Sequence, residues 1–293
     1  MDITNFPKGN EQEFNKFLVR EYIKFGSVDE VLRNCRFSLP ISYANYQRVL
    51  DKWGIVKAAG PNSKMTEVLE FLTHFARSSI PFEKLYDKMP PSFRTSAATL
   101  YRILSYIKEG VTRRIATGLV VVSDKDREKI LVADDVSIPR VELGKTYGSV
   151  SIPMGFSRMD DPREVAILRV LQQEVFCDLA IEKKLPENII PYHPRPFMYL
   201  DIADVRVEIF LLTLSKKLSN KKYFSSFKLR NHKFVSFDRL LSENPRVNLR
   251  VGVKEAAMGY KKYLEMLDRK LTFNPLYYKS TLNYHLSRSL PIQ

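Results

Sequence analysis

The sequence predicts an α+β multidomain protein: a mainly helical N-terminal half followed by an α/β/α sandwich. Three observations carry that reading. A chain of 293 residues is long enough for about two cores. Between Glu11 and Arg114, apolar residues recur at three- and four-residue spacing with little strand-like alternation. From Ile115 the pattern changes to short β-branched runs, IATGLVVVS and KILVA, bounded by the polar turn SDKDRE.

Composition narrows the class. With 44% hydrophobic, 12% aromatic and 27% charged residues and no low-complexity tract, the chain is expected to fold throughout. No stretch approaches the roughly 18 consecutive apolar residues that span a bilayer. The start, MDITNFPKGNEQEF, carries acids where a signal peptide has an apolar run. A soluble, cytoplasmic protein with no membrane partner is therefore expected. Cys35 and Cys177 stand in separate segments, and His74, His193, His232 and His285 make no metal-ligand spacing. Neither a disulfide framework nor a structural metal or cofactor is expected. The 47 Lys and Arg against 33 Asp and Glu leave +14, of which +6 precedes residue 115 and +8 follows it. Such an excess favours a polyanionic partner: duplex DNA first, RNA second.

The first element is a short helix from Phe25 to Cys35, broken at Leu39-Pro40-Ile41. A second runs from Ser42, its N-cap, to Trp53, with Gly54 as its stop. Tyr46, Val49, Leu50 and Trp53 share one face of it, while Ser42, Asn45, Arg48 and Lys52 share the other. Ile55-Val56 and the tip ending at Lys64 have the form of a small hairpin, or wing, packed behind that helix. The pattern then repeats. KMTEVLEFLTHFARS and IPFEKLYDKM precede a break at Pro90-Pro91, and SAATLYRILSYIKE runs to Gly110. Its apolar face is Leu100, Ile103, Leu104 and Ile107. Arg94, Thr95, Ser96, Thr99 and Arg102 lie opposite, and Arg113 and Arg114 begin a second wing. The two units, 1–64 and 65–114, read as winged-helix-like. The phrase TLYRILSYIKEG resembles recognition helices of winged-helix regulators, which place a second helix in the major groove and neutralise phosphates from the wing.

In the second half, strands are expected at Ser149–Pro153, RVEIFLLTL and HKFVSF, and helices at Pro162–Glu174 and VGVKEAAMGYKKYLEML. The segment GFSRMDDPREVAILRVLQQEVF resembles the Nudix box, with Gly155 at the first glycine and Asp161 standing six residues on, in place of glutamate. Arg169 falls at the arginine, Leu171 at the aliphatic and Glu174 at the second residue of the acidic pair. The hairpin upstream and the strand-to-helix step at KFVSFDRLL resemble the same family, over about residues 115–267. The resemblance implies carboxylates that hold divalent metal against a diphosphate, and a pocket for a nucleotide-type ligand lined by Gly155, Asp161, Arg169 and Glu174. The departures bear on the chemistry. Val170, Gln173 and Phe176 stand where that family has glutamate, glutamate and glycine, and valine and a neutral amide supply no charge to a hard cation. Lost catalysis is the expectation. Asp160, Glu164 and Glu174 are the carboxylates from which a weaker hydrolase site would be rebuilt.

Two basic segments remain. Lys216, Lys217, Lys221, Lys222, Lys228, Arg230 and Lys233 interleave with Tyr223, Phe224 and Phe227 and no acid. They form either a phosphate-tracking, base-stacking loop or a solvated hairpin whose aromatics pack on the sheet. The tail 271–293 is basic and aromatic, and is expected to dock on the body or on a partner. The resulting expectation is a DNA-binding regulator whose Nudix-like domain, 115–270, senses a nucleotide-type effector or forms a homodimer. The alternatives are an active hydrolase of a nucleoside diphosphate derivative and an RNA-binding scaffold.

Overall fold

The computed structural model describes residues 10–36, 38–57, 97–112, 114–242, 247–271 and 274–288. Of the second helical unit expected over 65–114, residues 65–96 lie outside the described residues, and with them Arg94, Thr95 and Ser96, as do Lys64 and Arg113.

The N-terminal helices form where start and stop signals stand in the sequence. Helix α1, Glu11–Phe25, is capped by the Asn10 side chain, which accepts from the N–H groups of Gln12 and Glu13. It ends at Gly26, whose φ of 84° takes the left-handed C-cap geometry that favours glycine. Helix α2, Val28–Asn34, starts at Ser27, and α3, Tyr43–Lys52, starts at Ser42, which accepts from the Asn45 N–H. Leu18, Tyr22 and Ile23 of α1, Val31 of α2 and Tyr46 and Leu50 of α3 close one core. Burying each such side chain stabilises by about 1.5–3 kcal/mol. The Tyr46 hydroxyl finds its partner in the Leu18 carbonyl, 2.6 Å away. Eight residues, 35–42, join α2 to α3, more than the three or four of a typical helix-turn-helix. Ile55 to Lys57 form no strand.

Helix α4, Ala97–Glu109, leads into β1, Arg114–Ser123. The rest of the sheet comprises β2 (Asp126–Asp135), β3 (Ser149–Ser151), β4 (Met154–Ser157), β5 (Met198–Ile202), β6 (Val205–Leu214), β7 (Leu229–Ser236) and β8 (Leu276–Lys279). The order is β3-β2-β1-β6-β5-β8, with β4 paired to β1 and β7 to β2. Strands β1 and β6 run parallel in unbroken register from Arg114 opposite Val205 to Ser123 opposite Leu214.

Alternation along β1 sorts the two faces. Leu119 and Val121 meet α5 (Arg163–Val170) through Ile167 and Val170. Val120 and Val122 belong to the opposite core, with Val253, Ala256 and Tyr260 of α8 (Val253–Asp268). Helices α6 (Cys177–Ile181) and α7 (Phe237–Leu241) are single short turns, and α9 spans Thr281–Arg288. The expected layering of helices on both faces of a mixed sheet is therefore present.

Two expectations are corrected. Helix α4, expected as a recognition helix, buries Leu104 and Ile107 in the sheet core and packs on α9. Its amphipathic face seeks the sheet. Arg114, expected in a wing, begins β1, and its guanidinium is held by Asp204 at 3.1 and 2.5 Å. Within the tail, residues 274–288 are integral: β8 pairs in parallel with β5, and Leu282 and Leu286 of α9 are buried.

Candidate functional site

The segment that carries the box resemblance runs from β4 through a loop into α5 and then one wide turn, Leu171–Val175, where the Phe176 N–H reaches back to the Leu171 carbonyl at 2.8 Å. Gly155 sits on β4 opposite Thr117. Arg169 is 3% exposed. It donates to Asp161 Oδ2 at 2.6 Å, to the Lys57 carbonyl at 2.7 Å and more weakly to the Phe156 carbonyl at 3.4 Å. Asp161 also accepts from the Arg158 N–H at 2.8 Å, closing the loop. These residues thus hold one another in place.

Glu174 is 7% exposed, and its Oε2 accepts from the Met154 N–H at 2.7 Å. Burial pushes its carboxyl above the usual range, against the opposing pull of Lys228, Arg250 and that N–H. The Glu174 carbonyl takes the Nε2–H of His232 at 2.8 Å. A carbonyl only accepts, so the proton sits on Nε2 of the neutral ring, and burial holds that ring below its usual value. Gln173 Oε1 accepts from Lys228 Nζ at 2.7 Å.

The residues present do not fit a divalent metal. Val170 is buried and carries no donor, Gln173 is neutral and tied to Lys228, and Glu174 is enclosed and turned to the backbone. Asp161 is spent on Arg169. Among the described residues, no three His, Cys, Asp or Glu side chains gather in a ligating group. Of the four residues expected to contact a ligand, Arg169 and Asp161 bind each other, Glu174 binds the Met154 N–H, and Gly155 pairs with Thr117 of β1.

The box segment also docks the N-terminal unit. Gln172 donates to the Gly54 carbonyl at 2.7 Å and accepts from the Val56 N–H at 2.9 Å, beside the Arg169 bond to Lys57. Trp53 Nε1 donates to the Ile181 carbonyl at 2.9 Å, and Lys183 Nζ lies 4.0 Å from the ring centroid. Cys177, Ala180 and Ile181 complete the helical core. Residues 55–57, the described part of the segment expected to form the first wing, are thus drawn against the box helix. Around Trp53 lies a cleft of about 380 Å³ reached by Asn15, Lys16, Lys52 and Glu182.

On α3, Ser42, Asn45, Arg48 and Lys52 are all exposed, opposite buried Tyr46 and Leu50. Arg48 donates to the Asn45 side chain at 3.1 Å. Arg102 of α4 is exposed, and the Thr99 side chain lies outside the described residues. In the β6–β7 loop, Lys216, Lys217, Lys221 and Lys222 are exposed, whereas Tyr223 and Phe224 pack on the sheet core. Phe227, the third aromatic of the segment, is exposed, so two of its three aromatics dock on the sheet. Sequence reasoning passed over Asp135, Lys145 and Arg250, buried charges of which Arg250 lies more than a hundred residues beyond the other two.

No family model matches the chain, and no curated protein matches it. Solved structures do align with it at low similarity. A Nudix hydrolase from Nitrosomonas europaea aligns at 12% identity over 57% of this chain and 78% of that one, with a TM-score of 0.36. An Ap4A hydrolase from C. elegans aligns at 12% identity over 54% and 99%, at 0.35. An ADP-ribose pyrophosphatase from Streptococcus suis aligns at 16% identity over 57% and 99%, at 0.35.

Proposed function

We propose that this chain is a DNA-binding regulator in which a three-helix unit presents α3 to the duplex. The sheet domain behind it is Nudix-like and non-hydrolytic, and it serves as the body on which the reading unit is fixed. The observation that carries the proposal is the exposed face of α3. Ser42, Asn45, Arg48 and Lys52 project from a helix whose opposite side is anchored by Tyr46 and Leu50, in a chain of net charge +14. Arg and Asn are the side chains that pair two-pronged with guanine and adenine edges, and the lysine meets phosphate. The ungapped box spacing, laid on a strand, loop and helix, supports the Nudix-like reading. The bonds that absorb Asp161, Arg169 and Glu174 support the loss of hydrolysis.

Selection of bound sequences from a random duplex library at about 150 mM salt, where non-specific binding is strongly reduced, tests this directly. An enriched motif is expected. Arg48→Ala should lose about 1–3 kcal/mol at one base pair, and Lys52→Ala should weaken all sequences alike. No enrichment, or an Arg48→Ala protein that binds as tightly as the parent, would overturn the assignment. A magnesium-dependent release of phosphorylated product from a panel of nucleoside diphosphate compounds would overturn the non-hydrolytic part.

A further inference from the structure

Several charged side chains meet inside the sheet domain, where the β2–β3 loop, the start of β1 and the residues before α8 converge. Asp135 ends β2 and is 2% exposed. Arg250 Nη1 lies 3.5 Å from its Oδ2, and Lys145 Nζ lies 3.6 Å from its Oδ1. Arg114 and Arg140 both lie against the Phe156 ring, with Cζ 5.2 and 5.3 Å from its centroid.

Backbone contacts fix this arrangement. Arg140 and Lys145 exchange N–H and carbonyl at 2.9 and 3.0 Å, and the Gly144 carbonyl accepts from the Val251 N–H at 3.2 Å. A Cβ on Gly144, which has a φ of 60°, would stand 2.1 Å from Val251 Cγ2, so glycine is what lets this loop lie against the residue after Arg250.

The donors are incompletely used. Arg114 spends Nε and Nη2 on Asp204. Among the described residues, Nη1 of Arg114, Nη1 of Arg140 and Nε of Arg250 are enclosed and make no hydrogen bond. Burial pushes the Arg140 guanidinium below its usual value, and Arg114 and Arg250 push it the same way, while Glu142 and Asp135 oppose them. Burial likewise lowers Arg250, opposed by Asp135 and Glu174. An enclosed donor without a partner costs about 1–3 kcal/mol, and more when charged. Arg140 stands near enough to Arg114 and to Arg250 for each to lower it, and shares the Phe156 ring with Arg114, so one group bringing negative charge and several acceptor oxygens would relieve these neighbouring charges. A guanidinium fork fits a phosphoryl or carboxylate oxygen pair.

We propose that Arg114, Arg140 and Arg250 form a binding site for a small oxyanion group, phosphoryl or carboxylate. The site uses no residue of α3 and none of Asp161, Arg169 or Glu174, so it stands independently of the DNA-binding reading.

The experiment is calorimetric titration of the full chain with inorganic phosphate and, separately, with acetate, at constant ionic strength. Saturable binding of at least one anion is expected. Phosphate alone identifies a phosphoryl site, and both anions identify a general oxyanion site. Arg140→Gln should weaken binding at least tenfold while circular dichroism stays unchanged, and Arg239→Gln, at an exposed position of α7, should leave it as it was. If Arg140→Gln fails to fold, Arg140→Lys, which keeps the charge and loses the fork, should show the same weakening. No saturable binding to the parent protein, or a folded Arg140 variant that binds as the parent does, overturns the proposal. Duplex affinity measured without added anion should not change in Arg140→Gln, which separates failure here from failure of α3.

Discussion

Arg169→Met should cost about 3–5 kcal/mol of unfolding free energy, the loss that follows when one partner of a buried ion pair is removed. Three groups lose their donor at once: Asp161, whose side chain is 12% exposed, and the carbonyls of Lys57 and Phe156. The size of the effect discriminates. Were Arg169 an ordinary pair on a helix surface, the same substitution would cost 0–1 kcal/mol. Urea unfolding of the full chain provides the comparison. Adding Asp161→Asn should recover part of the loss, because the remaining cost includes an uncompensated buried carboxylate. A second readout is local: with Lys57 released, proteolytic cleavage next to Trp53 should quicken in Arg169→Met, even in conditions where both proteins remain folded. A loss under 1 kcal/mol, with no change in cleavage, would show that the box arginine neither holds its loop nor docks the N-terminal unit.

The parts of this fold legible in the sequence are those whose signals are local. Ser42 before an amphipathic run and Gly110 after one place helix ends within a residue or so, because capping and left-handed stops act over a single turn. The β1–β2 hairpin was equally legible from its alternation of β-branched runs and polar turn. Amphipathicity says that a face is buried and not against what. Helix α4 therefore resembled a free recognition helix, while its Leu104 and Ile107 pack on the sheet. The β8 strand, LYYK, has no clean alternation of buried and exposed residues, and it is stabilised by parallel pairing with β5, almost eighty residues away in sequence. At the site, spacing identified Arg169 and Glu174 but not their partners. The bonds to Lys57 and Met154 use backbone groups, which leave no trace in residue type. Arg114, Arg140 and Arg250 come from three separate segments, so nothing in their spacing announces that they converge.

Glu174 separates a structural carboxyl from a catalytic one through the pH dependence of two substitutions. A metal ligand must be ionised, whereas burial favours the protonated form here. With its folded value raised, Glu174 binds its proton more firmly in the folded chain than in the unfolded one, where release occurs near 4.5. Its contribution is therefore fully present below that pH and is lost as pH rises through the folded value. Glutamine keeps the oxygen that accepts from the Met154 N–H and carries no charge. Glu174→Gln should thus match the parent near pH 4.5 and become progressively more stable than it towards pH 8, by about 1–3 kcal/mol. His232, lowered by burial, contributes the opposite slope, with stability lost as pH falls below its usual value of 6.5. It bonds the Glu174 backbone, which the substitution retains, so its slope cancels in the difference. Glu174→Ala, by contrast, should lose about 2–4 kcal/mol near pH 4.5, since it orphans the Met154 N–H and opens a cavity, and this deficit should shrink towards pH 8 as the parent loses the contribution of Glu174. Urea unfolding at pH 4.5, 6 and 8 reads both. If the glutamine variant instead weakens as pH rises, the carboxylate is ionised in the folded chain and held by Lys228 and Arg250. The charge needed for a metal would then be present at this position after all.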